Sequence, residues 1–416
     1  MSAAPLDAFA GCGIELEYAI VDRATLDCLP IADEVLRREA GQGSRMINDV
    51  ARGAMGWSNE LVMHVLEIKN QRPSPSLDPL PSAFQGEVNR INDLLEAWGA
   101  QLMPTAMHPW MDPRRETRVW PHGNAEIYAA YERIFDTRTH GWANQSMHVN
   151  LPFNGDEQFR RLHAAIRLVL PIIPALAASS PLAEGGDTGF ADFRMAVYCG
   201  NAEEFPSIAG KVIPEQADSR ATYEQKILAP MYDAIAPRDP DRVLRHEWLN
   251  SRGAIPRFDR SAIEIRVIDT QECPQADMAV AAAVIGAVKM LYENGLAPLS
   301  AQESAGTDAL ARILRACIRE GERADIYDAA YLGLLGYPGS RCSAQELWRH
   351  LIDAMRADPA LDTPSGREHL RLILEQGPLA RRILHALNGR ASRTRIEETY
   401  RRLCNCLAEG TAFVAG

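Results

Sequence analysis

Positive charge is in deficit in this chain: 44 lysines and arginines face 55 aspartates and glutamates, a formal charge of −11 over 416 residues. Non-specific nucleic-acid binding needs a broad basic field, so an overall nucleic-acid coat is excluded. Lysine is the scarcer base, present only as Lys69, Lys211, Lys226 and Lys289, with arginine standing in elsewhere. The eight cysteines include no Cys-x-x-Cys pair, and Cys404-Asn-Cys406 has no second half, which rules out the usual zinc spacings. They read as reduced thiols filling cores; Cys273 has no basic neighbour in sequence that would make it a nucleophile. No run is long and clean enough to span a bilayer. Leu168–Ala183 holds three prolines, and Ala276–Tyr292 carries Asp277 and Lys289. The segment Met1–Gly13 has neither a basic start nor a long apolar stretch, so no secretory signal is expected. The expectation is a cytoplasmic protein without membrane or nucleic-acid partners, large enough to bury a core unaided.

What is present alternates between strands and helices. Strands are expected at Ile14–Val21, Val62–Ile68, Met147–Leu151 and Ala262–Ile268, the last after a feeder segment Glu247–Ile255. Helical spacing marks Phe84–Trp98 and Met278–Asn294, and Asp156–Ala178 is a helix that Pro171 and Pro174 should bend or break. Beyond Pro298 the segments Asp308–Arg323, Ala344–Arg356, Arg367–Leu374 and Arg393–Leu407 read as amphipathic helices rich in arginine and glutamate, their arginines on solvated faces. This divides the chain into 1–299 and a helical C-terminal subdomain, 300–416, packed on it. No Gly-rich phosphate loop follows the first strand, since Gly11-Cys-Gly13 precedes it. That absence favours an α+β fold with an antiparallel sheet over a doubly wound parallel one.

The strands carry acids in unusual places. Glu15 and Glu17 lie two apart, so both carboxylates leave one face of the sheet. Such a pair alone is as readily a solvated surface. Glu67, however, sits inside the apolar run Val65-Leu-Glu-Ile68, with Glu60 a little upstream and Lys69 just after. His148 and Asn150 share a face of the third strand, and Glu264 and Arg266 a face of the fourth. A lone strand histidine is more often a hydrogen-bonded core residue than a ligand. Four strands each placing an acid or imidazole in an apolar run point instead to hard oxygen ligands with one nitrogen, a set suited to Mg²⁺ or Mn²⁺. An arginine among them suits a phosphate chain.

The ordered motifs Gly13-Ile-Glu-Leu-Glu-Tyr18, Glu60 with Leu66-Glu-Ile68, Met107-His-Pro109, Met147-His-Val-Asn150, Ala178-Ser-Ser-Pro181, Asp187-Thr-Gly-Phe190 and Glu264-Ile-Arg-Val-Ile-Asp269 resemble the bacterial glutamate–cysteine ligase family 2, the carboxylate–amine ligases. The resemblance runs from Gly13 to about Asn294. It implies a glutamine synthetase-like fold: a curved antiparallel sheet with helices on its convex face and ATP and divalent metals on its concave face. By matching position, Glu15, Glu17, Glu60, Glu67, His148 and Glu264 resemble the family's metal-binding residues, Arg266 its phosphate-binding arginine, and Arg194 an arginine near the substrate carboxylate. The chain departs from the family pattern at Ala106-Met-His-Pro-Trp110 and Asn144–Leu151, which leaves glutamate and cysteine as substrates open.

The resemblance therefore implies an ATP- and Mg²⁺-dependent ligase joining a small carboxylate to an amine through an acyl phosphate, with Arg266 and Glu67 as the central catalytic residues. Lys69 and Asn150 are further candidates for holding ATP. Asn250 and Arg252, the latter beside Gly253 where a backbone can approach a ligand, are candidates for the substrate pocket. Arg257 is as readily a surface ion pair. A homodimer is compatible with this reading. The rivals are a small-molecule kinase of the same superfamily, a metal-dependent hydrolase, and a nucleotide-binding regulator without catalysis.

Overall fold

The computed structural model describes residues 4–41, 47–355 and 364–415. Its centre is an eight-stranded, wholly antiparallel sheet built from β1 (Gly13–Asp22), β2 (Asp49–Arg52), β3 (Met55–Asn59), β4 (Val65–Asn70), β5 (Ala100–Met103), β6 (Ser146–Pro152), β9 (Ala254–Arg257) and β10 (Ala262–Asp269). The order is β2-β3-β4-β1-β6-β10-β9. β6 pairs with the first four residues of β1 and β5 with the last four. Two short ribbons stand apart from it, β7 (Leu182–Ala183) with β8 (Gly186–Asp187) and β11 (Asp325–Ile326) with β12 (Cys342–Ser343).

Strict alternation divides the sheet chemically. On β1, Ile14, Leu16, Tyr18 and Ile20 are buried on one face, in a row with Leu66 and Ile68 of β4, Met147 and Val149 of β6, and Ile263 and Ile265 of β10. The helices Leu80–Leu95, Gly155–Val169 and Pro274–Tyr292 pack over this apolar face and complete one core. A one-residue slip in β1, β4 or β10 would exchange core residues for charged ones, so the register of these strands is strongly fixed. Pro274–Tyr292 is long and apolar enough to cross a bilayer, yet most of it is buried inside the fold.

Several expectations are revised. The second strand begins three residues late, at Val65, because Val62 to His64 form a bridge and turn instead. Glu60 therefore sits just beyond β3 rather than on the strand of Glu67. The hairpin β2–β3 was not expected: Met-Gly-Trp-Ser-Asn has no β-branched residue and offers no alternation to read. β9 replaces part of the feeder segment. Its Pro256 is tolerated because this strand is the sheet's edge. The helix from Gly155 breaks where expected, at Val169, before a 3-10 turn and the short helix Ile173–Ala177. The last core helix starts at Pro274, four residues early, with proline in its first turn.

The C-terminal region packs on the sheet domain and shares its core. Leu314, Trp348 and Leu351 belong to the same apolar cluster as Ile14, and Trp348 Nε1 donates to the Ile172 carbonyl at 2.7 Å. Leu379, Ile383, Tyr400 and Leu403 pack on Ala19, Val21 and Met103 at the far end of β1. Arg356, the expected end of one helix, lies outside the described residues. The helix Leu379–Leu387 was not expected, and its Arg382 is no surface arginine. Buried, it forks onto the equally buried Glu272 (Nη1–Oε1 2.5 Å, Nη2–Oε2 3.2 Å) and donates to the Phe413 carbonyl at 2.7 Å. Burial alone would raise the Glu272 carboxyl, but the Arg382 charge and hydrogen bonds hold it below its ordinary 4.5.

Removing one member of a buried pair strands the other charge, so Arg382→Met should cost about 3–5 kcal/mol in urea unfolding, and adding Glu272→Gln should recover much of it. Because the folded-state pKa of Glu272 is depressed, its contribution is present above about pH 4.5 and fades as pH falls through the folded value. Wild-type stability should therefore decline more steeply below pH 4.5 than that of the double variant. A cost under about 1 kcal/mol for Arg382→Met would show that the pair does not hold the C-terminal segment in place.

Candidate active site

The sheet's other face gathers the acids. Register places Glu15 opposite both Lys69 and His148, Glu17 opposite Glu67, Ser58 opposite Glu67, and Glu264 opposite Asn150. His148 Nδ1 lies 2.8 Å from Glu15 Oε2, and its Nε2 lies 2.8 Å from Ser146 Oγ and 3.8 Å from Glu17 Oε1. Asn150 Nδ2 donates to Glu15 Oε1 at 3.1 Å. Ser146 N donates to Glu17 Oε2 at 2.7 Å. Lys69 Nζ is shared among Ser58 Oγ (2.7 Å), Asp49 Oδ2 (2.9 Å) and Glu67 Oε1 (3.0 Å). A register shift between Ile265 and Ile268 follows Glu264, and there Arg266 folds back on that carboxylate (Nη2–Oε1 2.7 Å). Arg257 Nη1 grips the other oxygen of Glu264 at 3.1 Å, so it is part of the site and not a surface ion pair.

These contacts set the charges unequally. Burial pushes the Glu264 carboxyl up, but Arg266, His148 and Arg257 outweigh it and bring it to about 2. Burial likewise favours a neutral Glu15, and the hydrogen bond and charge of His148 reverse this. Glu17 ends above its ordinary value, through burial and the neighbouring Glu67, despite His148 and Ser146. Glu60 rises well above its own, through burial and the charges of Glu17, Glu67 and Glu15. His148 climbs to about 9 against its burial, held by Glu15, Glu17 and Glu264.

Donor atoms of Glu15, Glu67 and His148 lie within 4.8 Å of one another, and so do those of Glu17, Glu60 and Glu67. Carboxylate oxygens with a single imidazole are the donors of a hard divalent cation. The upward shifts of Glu17 and Glu60 come from burial first and like-charge crowding second, and a cation among these carboxylates would offset both, so the residues fit Mg²⁺ or Mn²⁺.

A cavity of about 390 Å³ opens beside Glu17, Glu60, His148 and Arg266. Arg194 reaches it from the helix Phe193–Tyr198. Only 2% exposed, Arg194 is clamped by Asp269 (Nε–Oδ1 2.5 Å) and the Arg266 carbonyl, while its buried Nη2 has no hydrogen-bond partner. Asp269 is fixed in turn by Ser179 N and Ser180 Oγ, each at 2.8 Å. Lys69 and Asn150 lie on the same polar face but outside the cavity lining.

Asn250 and Arg252 do not belong to this pocket. Arg252 forks onto Glu215 (2.6 and 2.9 Å) and donates to the Ser207 and Ile208 carbonyls, and Asn250 donates to Tyr223 Oη at 2.6 Å. Gly253 accommodates protein rather than ligand: a Cβ there would stand 2.5 Å from Val267 Cγ1. Sequence reasoning missed Ser146, Asp269 and the aromatic residues Tyr128, Tyr131, Trp142 and Trp248 that wall the cavity. Ser146 carried a readable signal, since it precedes His148 by two and so shares its face.

The model of glutamate–cysteine ligase family 2 matches residues 12–405. An uncharacterised protein of Archaeoglobus fulgidus is 34% identical over 327 residues, 77% of this chain and 87% of its own length. A Leifsonia xyli protein provisionally named glutamate–cysteine ligase 2 is 29% identical over 224 residues, 52% of each chain. Among solved structures, glutamate–cysteine ligase of Francisella tularensis in complex with AMP superposes with a TM-score of 0.59 at 14% identity, covering 98% of this chain and 90% of that one. That likeness establishes a shared fold. The antiparallel sheet, its acidic face and the match across nearly the whole chain make this protein a member of glutamate–cysteine ligase family 2.

Proposed function

We propose that the protein is an ATP- and Mg²⁺-dependent carboxylate–amine ligase that forms an amide through an acyl phosphate. The observation that carries this reading is the convergence of two acidic clusters, Arg266 and an unsatisfied buried guanidinium nitrogen of Arg194 on one cavity. Family membership and the name of the Leifsonia relative support it.

Glu15, Glu67 and His148, with Glu17 and Glu60 alongside, would hold the divalent cation, whose chemistry is to neutralise and orient a triphosphate. Arg266, held flat by Glu264, faces the same cavity and can fork onto phosphate oxygens. A substrate carboxylate oxygen attacks the γ-phosphorus, the bond to the β-phosphate oxygen breaks, and ADP leaves. The amine nitrogen then attacks the acyl carbon. The carbon–oxygen bond to phosphate breaks, inorganic phosphate departs, and the nitrogen releases its extra proton to phosphate or solvent. The chain's part in both steps is positioning and charge stabilisation.

Protein supplied with ATP, Mg²⁺, hydroxylamine and a pool of carboxylates, L-glutamate among them, should give a hydroxamate with ADP and phosphate. AMP and pyrophosphate would sink the phosphoryl-transfer route, ADP with a stable phosphorylated product would indicate a kinase, and turnover without ATP a hydrolase. Arg266→Lys should lower kcat/KM roughly tenfold or more while changing Mn²⁺ affinity little, since lysine keeps the charge but not the fork. Unchanged turnover would remove Arg266 from the site.

Glu60→Gln relieves crowding without changing shape, so its melting temperature in the absence of metal should stay level or rise, while the upshift given by Mn²⁺ shrinks. A fall of several degrees without metal would make Glu60 a structural residue. His148 must lose its proton to ligate. With its value raised to about 9, Mn²⁺ affinity should increase from pH 7 towards pH 9, by up to about tenfold per unit, and level off above. In the metal-free protein the same raised value stabilises the fold at pH below about 6.5 and is lost as pH passes 9. Affinity independent of pH over this range would exclude His148 as a ligand.

A further inference from the structure

One wall of the cavity beside the acids is aromatic. Tyr131, Trp142 and Trp248 are half-buried, and all three line the cavity. Their centroids are closely spaced, 5.5 Å between Tyr131 and Trp142 and 5.6 Å between Tyr131 and Trp248. The wall is braced from behind: Phe135 lies 5.7 Å from Trp142, and His246 stacks on Trp248 at 5.6 Å with the planes 12° apart. Rings held at fixed angles present a preformed apolar surface to a planar group. The cavity, at about 390 Å³, falls in the range that holds drug-sized ligands.

Two buried polar atoms of residues lining the same cavity lack a hydrogen-bond partner, Tyr198 Oη and Arg194 Nη2, and the second belongs to a cation. Arg194 Nη2 is buried and without a hydrogen-bond partner, although Nε and Nη1 of that guanidinium are engaged. Leaving such a donor unpaired is costly, and an anionic acceptor is its best match. The adenine of ATP could cover the aromatic wall, but in the ligase reading its phosphates go to Arg266 and the metal-binding acids, which leaves Arg194 Nη2 unanswered. An amino acid with an aromatic side chain brings both a ring and an anion, together with the amine that the ligase reaction consumes.

We infer that the amine substrate is an α-amino acid with an aromatic side chain, its ring on Tyr131, Trp142 and Trp248 and its carboxylate on Arg194. The inference rests on the ligase reading for the amine's fate, and on the cavity alone for recognition. The reacting carboxylate of the other substrate then lies towards Arg266 and the acidic clusters.

Calorimetry with the full chain, Mg²⁺ and a non-hydrolysable ATP analogue separates the two readings, because binding needs no turnover. At least one of L-phenylalanine, L-tyrosine and L-tryptophan should bind about tenfold or more tighter than L-alanine or L-cysteine. Phenethylamine, which lacks the carboxylate, should bind at least about tenfold more weakly than L-phenylalanine. Trp248→Ala should abolish the aromatic preference, and Trp248→Phe, which keeps a ring, should retain most of it; melting curves of both check that the fold persists. The bound amino acid, replacing hydroxylamine in the turnover assay, should yield an amide. L-Cysteine or L-alanine binding as tightly as the aromatic set would overturn the inference, and so would competition between the ATP analogue and the aromatic ligand for this wall. Hydroxamate formation without aromatic binding sinks this inference alone. Aromatic binding without any hydroxamate or amide sinks the ligase reading and the role of amine substrate with it.

Discussion

Like charges crowded onto one face of one sheet are the constraint around which the molecule is arranged. Glu15, Glu17, Glu60, Glu67 and Glu264 share that space with His148, Lys69, Arg257 and Arg266, five acids against four bases, and Asp49 also draws on Lys69. The shortfall is borne unevenly, with Glu264 and Glu15 held ionised while Glu60 and Glu17 are driven towards the neutral form. A surface of this kind repels itself unless the backbone beneath cannot move. The buried rows of Ile14, Leu16, Val149 and Ile265, with helices packed over them, supply that rigidity.

Support for the cavity runs outward in layers. Arg194 is aimed by Asp269, Asp269 is fixed by the consecutive residues Ser179 and Ser180, and the turn that follows Asp269 ends in Glu272, gripped by Arg382 of the C-terminal region. The C-terminal helices therefore hold the loop beyond β10 as well as coating the domain. Asp192, buried beside this group, caps the Arg194 helix through Met195 N and is driven well above its ordinary pKa by burial and by Asp269.

What could be read from sequence was whatever alternation alone decides. Glu15 with Glu17, His148 with Asn150, and Glu264 with Arg266 each announce a polar face within an apolar strand, and the structure aligns those faces by register. The hairpin of β2 and β3 was hidden because its strands are short and hold a single β-branched residue, Val50, with no alternation to read. Glu60, expected just upstream of the strand of Glu67, directly follows the unforeseen β3. Arg252 looked like a pocket residue because Gly253 invites close approach, and the approaching atoms turn out to be Val267 and Val212. Arg382 was illegible for a different reason: nothing local distinguishes an arginine whose partner lies 110 residues away. The aromatic wall had no local signature either, since Tyr131, Trp142 and Trp248 meet only through tertiary packing.

The cavity and the charged face are made from different kinds of backbone. The acids sit on or directly beside hydrogen-bonded strands, where a shift of one position would turn core into charge. The wall comes from the helix Ala125–Ile134, the loop carrying Trp142 and the short turn Glu247–Leu249, none of which belongs to the sheet. Replacements, insertions or deletions in those segments leave strand register untouched. The architecture is thus modular: the wall of the cavity can be remodelled while the charged face beside it keeps its geometry.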